Sequence, residues 1–375
     1  MSDSIQNYIR SKLQQRKDES NFRSLKITKG LVDFYSNDYL GFARDRSLQQ
    51  QVEKEMEKLP ELMLGSTGSR LLSGNSVYAE SLEKQLSEFH SAASALLFNS
   101  GFDANYGLLS SLPYRGDTVI YDELVHASIH DGIRKSKASA KVFPHNNLDE
   151  LKKLLERANG LKYVVVESVY SMDGDFAPLT EITDLCQQFD AGLIIDEAHA
   201  TGVFGKKGEG RVSELGLENK CLARIHTFGK ALGAHGAVIL GSHDLKEFLI
   251  NYARSFIFST ALPLHSLANI RCAYQYLPQV NERREKIFQL VELFKKVMKE
   301  NSILPLIESQ SPIQSLLIPG NAEAKRVAEK AQKAGLDVRA ILYPTVSKRK
   351  ERLRVCIHSF NSDEEVMNLC RSINN

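Results

Sequence analysis

No apolar run in this chain of 375 residues approaches the roughly 20 residues that a helix needs to span a bilayer. Cysteine is sparse as well. Cys186, Cys221, Cys272, Cys356 and Cys370 are odd in number, widely spaced and form no C-x-x-C. They read as neither a disulfide framework nor a zinc site, and reduced thiols in a cytosolic protein are the simplest account. An excess of one charge is also missing: 48 Lys and Arg against 46 Asp and Glu leave a formal charge of +2, which gives no reason to expect a nucleic-acid partner. The first twenty residues are polar and carry Asp3, Asp18 and Glu19. They lack the apolar core of a secretion signal and are too acidic for a typical transit peptide. A soluble, cytoplasmic protein is expected. Internal repeats and low-complexity segments are absent too.

What is present is ordinary for a globular chain, with 42% apolar and 25% charged residues and a length that suggests two or so domains. Short apolar, β-branched runs recur at Ala95 to Phe98, Thr118 to Tyr121, Tyr163 to Val166, Gly192 to Ile195, Ile225 to Phe228 and Ala237 to Leu240. Such runs without alternation suit strands buried on both faces. Between them lie segments of helical spacing, such as Leu82, Leu86 and Phe89, so an α/β fold with a largely parallel central sheet is expected. After about Pro263 a long charged helical stretch is predicted to about Lys299, broken at most by Pro278. Strand-like runs follow at Gln314 to Ile318 and Leu353 to His358, with a helix from about Ala322 to Ala334 capped by Gly335. This reads as a smaller α+β domain. The expected division is an N-terminal segment 1–44, a large domain 45–274 and a C-terminal domain 275–375.

In an open α/β sheet, ligands gather at the carboxyl ends of the strands. Ser100-Gly101, Asp122 to His126, Glu167 to Ser171, Asp196 to His199 and Thr227 to Lys230 all fall at such ends, and one site can collect them. Asp196 follows Gly-Leu-Ile-Ile. It is placed at a dry strand end, where a carboxylate calls for a cation such as a protonated pyridine; the alternative is a structural Asp capping the next helix. Gly101 and Phe102 open a helix whose backbone N–H groups suit a phosphate, although strand-to-helix turns often contain glycine. Thr227 stands three residues before Lys230, so a hydroxyl for phosphate and an amine for an aldehyde are placed together. His126 can lie flat on a ring and His199 can bond a phenolic oxygen; for either histidine alone, simple packing is the commoner role. Carboxylate, imidazole, hydroxyl and lysine are the groups a pyridoxal phosphate site requires.

Other chemistries lack their parts. Asp196-Glu197-Ala198-His199 also spells a helicase tetrapeptide whose acidic pair holds magnesium, yet no G-x-x-x-x-G-K-[ST] accompanies it. Neither H-E-x-x-H nor G-x-S-x-G occurs, and no metal site is expected. The basic run Lys348 to Arg354 reads as a solvated loop leading into a strand.

Over nearly its whole length the chain resembles the α-oxoamine synthases, pyridoxal phosphate enzymes of the aspartate-aminotransferase fold (fold type I). The resemblance rests on Ser36 to Gly41, Gly65 to Arg70, Glu167 to Asp175, Asp196 to Gly202 and Thr227 to Lys230. It implies that Lys230 holds the cofactor covalently, that Asp196 partners its ring nitrogen, that His126 stacks on the ring, and that His199 and Ser171 lie near the phenolic oxygen. Gly101, Phe102 and Thr227 would contact phosphate and ring, with Lys230 and His126 catalytic. Arg354 would grip the amino-acid carboxylate, Thr345 would touch substrate, and Arg23 would bind the acyl chain, although the stretch from Arg23 to Tyr35 is shorter than the family's usual pattern. The implied reaction is decarboxylative condensation of an amino acid with an acyl thioester: L-alanine with a pimeloyl thioester of coenzyme A or a carrier protein, as in biotin synthesis. Glycine with acetyl-CoA and serine with a long-chain acyl thioester are the sister reactions. The family is also homodimeric with the active site at the interface, for which the Gly65 to Gly74 loop or Ser259-Thr260 would supply contacts.

Overall fold

The computed structural model describes residues 3–25, 27, 30–59, 63–302 and 304–374. Of the expected N-terminal segment 1–44, residues 1, 2, 26, 28 and 29 lie outside the described residues. The chain falls into two compact units: one of Asn37–Ser171 and Phe176–Arg284, the other of the described residues of Met1–Ser36, Met172–Asp175 and Glu285–Asn375.

The first unit is built on a seven-stranded sheet. Its strands are β1 (Ser94–Phe98), β2 (Thr118–Asp122), β3 (Ser139–Phe143), β4 (Lys162–Glu167), β5 (Ala191–Asp196), β6 (Ala223–Thr227) and β7 (Ala237–Gly241), in the spatial order β1-β7-β6-β5-β4-β2-β3. The pairings from β3 across to β6 are parallel. Only β7 runs against both of its neighbours, so the expected mostly parallel sheet is what forms. Helices flank it, among them α1 (Gly101–Ser111) and α2 (Ala127–Lys135). Val164, Val166, Ile194 and Ile225 are fully enclosed, as strands covered on both faces should be.

Two departures have physical causes. β3 is an edge strand with four of its five residues exposed, and Ser-Ala-Lys-Val-Phe carries no apolar run for the sequence to show. β6 begins two residues earlier than its apolar run because Arg224 and His226 are buried within it. Arg224 donates to the His90 carbonyl at 2.8 Å. His226 Nδ1 lies 2.8 Å from the Thr201 hydroxyl, and its ring centre is 4.0 Å from that of His90. Polar groups pair internally there, so charge does not mark an exposed position.

In the second unit a three-stranded antiparallel sheet orders Arg339–Ile341, Arg352–Cys356 and Ile313–Leu317, with Arg352–Cys356 central. Asn321–Lys333 forms the helix expected there, and Gly335 follows it at φ +86°, the left-handed conformation that glycine adopts without penalty. The long helical stretch divides into Leu264–Tyr276 and Asn281–Asn301. A 3₁₀ turn holding Pro278 separates them, because proline has no N–H for the helical ladder. No described helix is long and apolar enough to cross a membrane.

Candidate active site

The register of the sheet brings the chemistry to one edge. Parallel pairing of β4 with β5 sets Glu167 opposite Asp196, and β5 with β6 sets Asp196 opposite Ile225. At this edge lies a cleft whose wall includes Gly101, Phe102, His126, Ser171, Asp196, His199, Thr227 and Lys230. Five separate strand ends supply these eight residues.

Asp196 is buried at the floor. Its Oδ2 accepts from Asn105 Nδ2 at 2.7 Å and its Oδ1 from the Ala198 N–H at 2.8 Å. Both donors are neutral, so they orient the carboxylate without cancelling its charge, and a cation in the cleft would be held there. Glu167, also buried, accepts from the His126 N–H at 2.5 Å. Burial and then the neighbouring Asp196 charge push its carboxyl up to about 8, against the pull of Lys230 and of the backbone N–H groups of His126 and Ser171.

Above this floor, Ser100 caps α1 by accepting from the Asp103 N–H at 3.1 Å. The helix start at Gly101 and Phe102 lines the cleft, and the first N–H groups of a helix have no carbonyl partner within it. A side chain at Gly101 would meet Thr227 at 3.4 Å; glycine keeps the space between the helix start and the threonine hydroxyl open. Lys230 lies in a compact turn that Gly233 N–H closes on the Lys230 carbonyl at 3.0 Å, with Ala234 N–H returning to Phe228 at 2.9 Å. Gly233 has φ +58°, and a Cβ there would stand 2.3 Å from the Ala43 nitrogen. His199 is buried with its Nδ1 2.7 Å from the Tyr39 hydroxyl, and His126 caps the start of α2.

The remaining candidates belong to the second unit. Arg23 Nη2 donates to Thr345 Oγ1 at 3.1 Å, and both line an open cleft with Phe22, Tyr35, Tyr343 and Pro344. Arg354 is buried in the central strand, where its Nη1 lies 3.0 Å from Cys356 Sγ. Beside it in sequence, Arg352 ion-pairs with Asp173, so the basic run ends in buried strand residues; the exposed loop is its first part, Lys348 to Lys350.

Sequence reasoning did not single out Asn105, Glu167, Ser128 or Tyr39 as site residues. Glu167 had a signal, since it ends an apolar strand level with Asp196. Asn105 had none, because its place on the inner face of α1 is set by packing.

A donor-rich helix start beside a hydroxyl, an oriented buried carboxylate, a lysine and two imidazoles make a set that fits pyridoxal phosphate. The model of class I and II aminotransferases matches residues 29–373, and the chain belongs to that family. Among curated proteins it is similar to an 8-amino-7-oxononanoate synthase of Emericella nidulans, 41% identical over 98% of this chain and 95% of the relative. It is also similar to an aminoacyl transferase, sphA, of Byssochlamys spectabilis, 36% identical over 89% of this chain and 78% of the relative. Among solved structures, a serine palmitoyltransferase from S. paucimobilis superposes with a TM-score of 0.89 at 26% identity, covering 99% and 97% of the two chains. An 8-amino-7-oxononanoate synthase from Francisella tularensis gives 0.79 at 28%, covering 92% and 97%.

Proposed function

We propose that this chain is a pyridoxal phosphate-dependent acyltransferase that condenses L-alanine with a pimeloyl thioester to 8-amino-7-oxononanoate, releasing carbon dioxide and the thiol. The observation that carries the reading is the cleft in which Asp196, fixed by Asn105 and Ala198, shares a wall with Lys230. The choice of substrates is supported by the relatives that carry the same activity in their names over nearly the whole chain.

Pyridoxal phosphate, when bound, supplies an electron sink for charge developing at the α-carbon of the amino acid. Asp196 would balance its ring nitrogen, the α1 start with Thr227 would take its phosphate, and His199 and Ser171 would lie toward its phenolic oxygen. Lys230 would hold the group covalently and, once released by the incoming amino acid, move the α-proton. His126 would bond the thioester carbonyl as it accumulates charge. Arg354 and Thr345 would address the amino acid, Arg23 the acyl chain. We also propose a cytoplasmic homodimer.

The purified protein is expected to be yellow, and Lys230→Ala to lose both that absorbance and turnover; full activity in the variant would overturn the reading. The serine palmitoyltransferase superposition favours a second reading, serine with a long-chain acyl thioester. Thiol release across a panel of amino acids and acyl thioesters, on coenzyme A and on carrier protein, separates the two.

A further inference from the structure

His126 does two things at once: it lines the cleft and its side chain caps α2. The cap is made by Nδ1, which accepts from the Ser128 N–H at 3.2 Å. A backbone N–H can only donate, so Nδ1 must offer a lone pair. The Ser128 hydroxyl is 2.8 Å from the same nitrogen. Its direction follows from the backbone bond: an Nδ1 that accepts carries no proton to give, so the hydroxyl donates to it. Asn105 turns its NH₂ to the Asp196 carboxylate at 2.7 Å, and that same Nδ2 donates to Ser128 Oγ at 3.1 Å. Asn105 thus takes one lone pair of the hydroxyl oxygen and holds it in place beside Nδ1. Asn105 and Ser128 are both fully enclosed, so water does not compete for these bonds.

We infer that Ser128, oriented by Asn105, is a positioning residue that locks His126 as the neutral imidazole protonated at Nε2, so that the cleft receives a hydrogen-bond donor from this ring. A proton on Nδ1 would set two donors against each other at the helix start, where the N–H groups already make the field positive. The charged groups around the ring are Asp196 from the end of β5, Lys230 from the turn after β6, His130 one helical turn along α2, and Glu167, which takes the His126 backbone N–H. Desolvation lowers the His126 titration; Asp196 opposes this, and Lys230 and His130 add to it. A neutral imidazole donor suits an oxygen that gains negative charge, since its proton is fixed in place without an ionisation that varies with pH. The inference rests on the proposed condensation only for the identity of that oxygen.

The test is heteronuclear NMR of the full-length chain with ¹³C/¹⁵N-labelled histidine, with and without pyridoxal phosphate, the His126 signals being assigned by their loss in His126→Gln. The expected result is the ring-carbon and ring-nitrogen signature of the Nε2–H tautomer, with a titration midpoint below the usual histidine range. Ser128→Ala should raise that midpoint by about half to one pH unit, the loss of one neutral hydrogen bond to the uncharged form. Ser128→Thr should restore it. An Nδ1–H signature in the unaltered chain, or a midpoint that Ser128→Ala leaves in place, overturns the inference. An intact Nε2–H signature in a protein that neither binds pyridoxal phosphate nor releases thiol would instead overturn the proposed reaction.

Discussion

Glu167 and Asp196 face each other across the parallel β4–β5 pair at the last position of both strands. Two carboxyls at one level in a buried wall cannot both ionise cheaply, and at Glu167 burial and the neighbouring Asp196 charge outweigh the pull of Lys230 and of two backbone N–H groups. Asp196 has Asn105 and Ala198 fixing its two oxygens, and Glu167 is the group pushed up to about 8.

The contribution of Glu167 to stability should therefore fall as pH rises. Glu167 is raised from its ordinary 4.5 to about 8, so the folded chain binds more protons than the unfolded one between those values, and what the protonated form contributes is lost through that window. Glu197, also enclosed, is pushed the same way by burial, to about 7. Glu167→Gln cannot ionise. It should be more stable than the unaltered chain at pH 8 by roughly 1–3 kcal/mol and closer to it at pH 5. Urea unfolding of the cofactor-free protein at the two pH values measures this; equal differences at both would refute it.

Asn105→Ala removes the amide that orients Asp196. Cofactor affinity should weaken about tenfold, the equivalent of one charge-assisted hydrogen bond, read by titrating pyridoxal phosphate into the cofactor-free variant. Unchanged affinity would detach Asn105 from the site.

Tyr39→Phe leaves the fully buried ring but deletes the hydroxyl beside His199 Nδ1. Turnover should drop about tenfold, with a melting temperature lowered by only a few degrees. A large stability loss with normal turnover would make Tyr39 a purely structural residue.

Gly233→Ala tests the Lys230 turn. The position has φ +58°, and the added Cβ would meet the Ala43 nitrogen at 2.3 Å. Backbone strain and the clash together should cost about 2–4 kcal/mol, measurable by thermal unfolding. A neutral effect would mean that the turn is free to reshape.

The strands that carry the site were legible because both faces of each are covered, which leaves a run of Val, Ile and Leu that ends where the polar residue begins, as Gly-Leu-Ile-Ile does before Asp196. β3 was hidden because an edge strand needs no apolar run, and β6 was misplaced by two residues because Arg224 and His226 find their partners inside. Asn105, Ser128 and Tyr39 escaped for a related reason. Each acts through a neighbour brought up by packing: Asn105 on α1 reaches Asp196 at the end of β5, and no spacing along the chain encodes that distance.

The reversed strand β7 bears on when the site can come into being. Ala237, its first residue, is paired with Thr227 on one side and with Phe98 on the other, so the two halves of the proposed anion cradle, Thr227 and the Gly101 start of α1, are separated by this one strand. The Thr227 half arises from a short local hairpin. The Gly101 half requires β1 to come from a distant part of the chain and take its place at the sheet's edge, a non-local closure that local contacts do not hasten. If Thr227 and this helix start hold the cofactor's phosphate as proposed, its retention would report that the most distant pairing of the sheet has closed. On that reading, a partly unfolded chain would display Lys230 before it could keep the cofactor that Lys230 is proposed to hold.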